Sequence, residues 1–76
     1  MYETSDLGIA AYLMLKGLEL TSCSIHSTGR YCFEFADPLS IATDLAMEFL
    51  KSDFTKYDDN MRTLRKMLKF KPRKMN

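Results

Sequence analysis

The basic residues near the C-terminus have the most informative spacing in this chain. Arg62, Lys66, Lys69 and Arg73 stand 4, 3 and 4 apart, so a helix places them on one face. Arg65, Lys71 and Lys74 widen that face. Several cations on one rigid surface neutralise phosphates and release their counterions, which is the chemistry of sequence-independent nucleic-acid binding. Residues 61–76 carry seven basic side chains and no acid, a balance of +7, whereas residues 1–60 carry four basic and ten acidic ones, a balance of −6. Such asymmetry points to a polyanionic partner. An acidic protein satisfies the same charges. A solvated helix end that complements the macrodipole is the plainer use of them.

The other reactive residues do not assemble into a catalytic set. His26 stands alone in a turn. Cys23 and Cys32 have no basic cluster nearby in sequence to lower their pKa values. Two cysteines and one histidine fall short of the four ligands of a structural zinc site. Asp58 and Asp59 are adjacent, so on a helix they point about 100° apart and serve the dipole better than a metal. The chain has no glycine-rich phosphate loop. We therefore expect no enzyme, no catalytic or metal-binding residues, no cofactor and no small-molecule substrate.

Patterning supplies the elements that must position the basic face. A helix is predicted over Asp6–Lys16, capped by Thr4 or Ser5 and stopped by Gly17. It is apolar on most sides, with Tyr12 and Lys16 marking its solvent edge, so it should be central. Leu18 and Leu20, then Tyr31, Phe33 and Phe35, alternate with polar neighbours about a turn at His26–Gly29, which predicts a half-buried hairpin. A four-residue loop closed by Ile25 and Arg30 sets Leu20 opposite Phe35 and Cys23 opposite Cys32, both cysteines facing away from the aromatics. A one-residue slip turns Cys23 and Ile25 inward instead. Asp37-Pro38 predicts a second helix start, with Asp at the cap and Pro at the first helical position. That helix runs to about Lys51-Ser52. A third helix, capped by Ser52, Asp53 or Thr55, should dock through Tyr57, Met61, Leu64 and Leu68, present its cations outward and stop at Pro72.

The expected fold is α+β: one small domain over residues 1–71, an antiparallel hairpin on three helices in the order α-β-β-α-α, followed by a basic tail, 72–76. The aromatic stripe of the hairpin could stack bases, but it is needed to cover the first helix. Asp44, Glu48, Glu19 and Glu34 can form an anionic surface that meets a basic partner or the basic end of another copy. Met67, Leu68 and Phe70 beside the cations allow a lipid-surface reading, which is weaker than use of the stripe inside the domain. The longest apolar run, Leu7–Leu15, is shorter than the ~20 residues of a membrane span. The polar, acidic start has no secretory character, which points to the cytoplasm and free thiols.

Thr4-Ser5-Asp6-Leu7, Ala10-Ala11-Tyr12-Leu13, Lys16-Gly17, then Tyr31, Phe33, Phe35, Asp37-Pro38 and Met61-Arg62-Thr63-Leu64-Arg65-Lys66 resemble a family of short phage and bacterial domains of unknown function. The resemblance covers about 65 residues and implies the α-β-β-α-α order and a phage or prophage setting, hence a host cytoplasm. It implies no catalytic residue. Three binding roles follow: a nucleic-acid backbone held by Arg62, Arg65, Lys66, Lys69, Lys71, Arg73 and Lys74; a host or phage protein as partner; or a homodimer.

Overall fold

A computed structural model describes residues 1–70 and shows an α+β fold. The elements are β1 (Tyr2–Thr4), α1 (Leu7–Leu15), β2 (Glu19–Ile25), β3 (Tyr31–Ala36), α2 (Ala42–Leu50) and α3 (Asp53–Lys69). The three strands form one antiparallel sheet in the order β1-β3-β2. The expected order therefore lacks its first strand. Thr4 belongs to β1, not to the helix cap, and its Oγ1 accepts the Asp6 N–H at 3.1 Å. Asp6 caps α1 instead, its carboxylate accepting the Ile9 N–H at 3.0 Å.

The sheet register follows the expectation at one end and departs from it at the other. Leu20 lies opposite Phe35, but the pairing shifts between Leu20 and Ser22. Thr21 is the extra residue, and its hydroxyl donates to the Glu34 carbonyl at 3.1 Å. This bulge re-aims the rest of β2, so Cys23 faces Phe33, Ser24 faces Cys32 and Ile25 faces Tyr31. The two cysteines are therefore not opposite one another, and both are free.

Phe35 and Leu13 are wholly buried and form the core with Ala10 and Ala42, packed by Tyr2, Ile9, Leu18, Phe33 and Leu45. Tyr12, expected at the solvent edge, is buried: its ring centroid lies 5.5 Å from that of Phe49 and 5.7 Å from that of Phe54. Lys16 marks the edge alone, its ammonium 5.4 Å above the Tyr12 ring. Leu7, Met14 and Leu15 remain exposed, so α1 is covered on one side only.

Asp37-Pro38 opens a turn before it opens a helix. The Ser40 N–H donates to the Asp37 carbonyl at 3.1 Å, with Ser40 at a left-handed φ of 53°. That residue breaks the helical path, so Pro38 occupies the second position of a turn, where its fixed φ fits. The Asp37 carboxylate then reaches forward and accepts the Ile41 and Ala42 N–H groups at 2.8 and 3.2 Å. The aspartate still caps α2, four residues earlier than a standard cap. Gly17 is the stop of α1 at φ 94°.

Candidate functional site

The third helix begins at Ser52, whose hydroxyl accepts the Phe54 N–H at 3.2 Å. The helix carries Asp53 in its first turn and Lys66 and Lys69 in its last, as the macrodipole favours. None of its 17 residues is buried. The expected docking stripe stands in solvent: Tyr57 is 68% exposed, Leu64 59% and Leu68 68%. The residues that are partly covered are Thr55, Asp58 and Met61, and everything from Arg62 to Phe70 is exposed. The helix thus docks through a ridge of every third residue in its first half and projects beyond the body in its second. The radius of gyration, 15.3 Å against about 11 Å for a compact chain of this length, agrees with an extended outline.

Two contacts explain why this ridge docks. A Cβ placed on Gly8 of α1 would lie 2.9 Å from Asp58 Oδ2 and 2.9 Å from Phe49 Cζ. Gly8 therefore permits a close approach of α1 to both neighbouring helices. Arg62 then brackets the junction, with Nη2 at 3.2 Å from Asp58 Oδ2 and 3.7 Å from Asp6 Oδ2. Gly8 and the Asp6–Arg62–Asp58 cluster escape sequence reasoning because they lie outside any apolar periodicity. Such partly exposed pairs each contribute at most about 1 kcal/mol, but their geometry fixes the helix direction.

The structure divides the predicted phosphate contacts. Arg62 faces the body and is held by two carboxylates. Arg65, Lys66 and Lys69 make no ion pair among the described residues, and they stand on the projecting half. Lys71, Arg73 and Lys74, with the stop expected at Pro72 and the tail boundary, lie outside the described residues. One cation was not anticipated. Arg30, in the hairpin turn, lines a hollow of about 480 Å³ with Arg62, Tyr31, Gly29 and Asp6. The basic face of α3 therefore starts at a hollow containing a second guanidinium and runs outward. Tyr31 is 55% exposed there and stacks on Phe33, with centroids 6.5 Å apart. The aromatic stripe thus grades from core at Phe35 to open surface at Tyr31.

A second groove, of about 280 Å³, runs between α1 and α3. It is apolar, lined by Leu7, Ala11, Leu15, Tyr57 and Met61 among others. The remaining reactive groups stay apart. His26 is exposed, and its backbone closes the hairpin turn with Arg30 and Gly29. Cys32 is nearly buried, and burial together with the Glu3 and Glu34 carboxylates pushes its thiol pKa up. Among the described residues, no three His, Cys, Asp or Glu side chains gather as a metal site, and no helix is long and apolar enough to cross a membrane. Comparison with protein-family models, curated proteins and solved structures finds no match to this chain.

Proposed function

We propose that this is a non-enzymatic accessory protein, of the phage type its sequence resembles, that acts in the cytoplasm by binding a nucleic-acid backbone through its C-terminal helix and tail. One observation carries the reading. Arg65, Lys66 and Lys69 project from the body without an acidic partner among the described residues, on a helix whose base meets Arg30 and exposed Tyr31. Cations that are neither paired nor packed are free to exchange counterions for phosphates. Lys71, Arg73 and Lys74 extend the same charge. Tyr31 adds an aromatic face on which a base can stack, which favours single strands. Arg62 serves this surface indirectly, by fixing the direction of the helix.

Fluorescence anisotropy of labelled single- and double-stranded DNA and RNA tests the reading. Four or five phosphate contacts give a log–log salt slope on the order of −4, with little dependence on base sequence. Absence of binding at low salt would reject it. A second reading, a protein-interaction module, is favoured by the uncovered apolar side of α3. Its signature is saturable capture of one partner that survives nuclease.

A further inference from the structure

We infer that the apolar side of α3 is a self-association surface, on which a second copy of this chain lays its own α3 in the antiparallel sense, in the groove against α1. The inference does not depend on the nucleic-acid reading.

The spacing of the uncovered residues supports a helix as the occupant. Phe54, Tyr57, Met61, Leu64 and Leu68 stand 3, 4, 3 and 4 apart. That is the seam of a two-stranded coiled coil, two heptads long. Within one copy this seam has no cover on its second half, where Leu64 and Leu68 stand free. On its first half it forms one wall of the apolar groove, and Leu7, Ala11 and Leu15 of α1 form the other. A helix laid along the seam would therefore meet α1 as well as α3.

The area is sufficient. Leu7, Leu15, Phe54, Tyr57, Leu64 and Leu68 are each more than half exposed. Together they leave on the order of 700 Å² of apolar surface in water, close to the roughly 800 Å² that each partner gives to a standard interface. Monomers rarely expose a contiguous patch of that size.

Charge selects both the occupant and its direction. The first half of α3 carries Asp53, Asp58 and Asp59 against Lys56, and the second half carries Arg62, Arg65, Lys66 and Lys69 with no acid. A parallel pair would set these cations beside their own copies. An antiparallel pair centred between Met61 and Leu64 sets the basic half of each copy beside the acidic half of the other. Arg65 borders the seam, roughly 40° from Met61, and so falls level with the stretch around Asp58 and Asp59 of the other copy. Lys66 and Lys69 lie further round the helix and stay in solvent. The same patch matches itself under a two-fold axis, as an isologous interface requires. The free edge strand β2 is the rival surface, but its bulge at Thr21 distorts the edge that a second sheet would need.

The test is sedimentation equilibrium of the full chain, free of nucleic acid, from low to high micromolar concentration. The expected mass at the upper end is twice the 8.8 kDa of the chain. Leu64→Glu with Leu68→Glu should weaken association about 100-fold or more, because each places a charge in a desolvated seam. Both side chains are exposed in the single copy, so the variant keeps its fold, which circular dichroism checks. Direction is read from a Cys23→Ser, Cys32→Ser background. Chains carrying Tyr57→Cys are mixed with chains carrying Leu68→Cys and oxidised. Mixed disulfides between the two kinds of chain support the antiparallel pair, whereas disulfides between like chains overturn it. A chain that stays monomeric, or a dimer indifferent to the double glutamate variant, overturns the inference outright. Neither result touches Lys66 or Lys69, so the nucleic-acid reading stands or falls separately.

Discussion

Replacing Gly8 by alanine tests how α3 is held. At an open helical position the change would stabilise the protein by up to about 1 kcal/mol, because alanine orders more readily than glycine. Here the new Cβ meets Asp58 Oδ2 and Phe49 Cζ at 2.9 Å each, and Asp58 Cγ at 3.1 Å. The carboxylate can swing away, but only by leaving Arg62. The Phe49 ring is buried against Tyr12 and has less room to yield. Overpacking of this kind costs about 1–3 kcal/mol, and strain on the Arg62 pairs adds at most about 1 kcal/mol. The net expectation is a loss of about 1–2 kcal/mol. Urea unfolding, at one fixed low protein concentration so that association does not contribute, should show it. With a slope of about 1 kcal/mol/M for a domain of this size, the midpoint falls by roughly 1–2 M. Adding Asp58→Ala removes one of the two clashes, so the double variant should lose about 0.5–1 kcal/mol less than the sum of the singles. A Gly8→Ala protein that unfolds at higher urea than the parent would refute the close approach of α1 to its neighbours.

Further consequences follow from the caps and the thiols. Asp37→Ala should cost about 1–2 kcal/mol, since it strips both N–H groups at the start of α2 of their acceptor; Asp37→Asn should recover most of the loss in the same urea assay. Cys23 is exposed and Cys32 nearly buried with a raised pKa, so a thiol reagent should label Cys23 at once and Cys32 slowly, read by mass spectrometry. The folded state holds the Cys32 proton more tightly than the unfolded state. Stability should therefore fall as pH rises past the ordinary thiol value of 9.0. Glu3→Gln removes one of the raising charges and should make that fall shallower.

Much of the fold was legible in the residues, and the misses share a cause. Alternation at Leu20, Phe33 and Phe35 marked the hairpin and its first register pair, because a half-buried strand must repeat every second residue. It could not mark Thr21 as a bulge, since the extra residue is polar and leaves the composition unchanged. Tyr2–Thr4 is too short to display a period. The third helix was visible from its seam, but a seam does not say which chain covers it. The docked ridge is set instead by a glycine on another helix and by ion pairs among Asp6, Asp58 and Arg62. Those are relations between elements, absent from the pattern within either. The same blindness placed Arg62 among the phosphate contacts and left Arg30 out, because its neighbourhood exists only after the hairpin turn meets α3.

The division of labour along α3 is the central claim, and paired salt titrations measure it most directly. Affinity for a labelled single-stranded DNA is followed against salt for the parent chain, for Arg62→Ala and for Lys66→Ala with Lys69→Ala. The account predicts that the double lysine variant loses about 2 in log–log slope, near 0.9 for each lost phosphate contact. Arg62→Ala should keep the parental slope while losing some stability. Equal slopes for the parent and the lysine variant would contradict the account, as would a loss of slope at Arg62 alone.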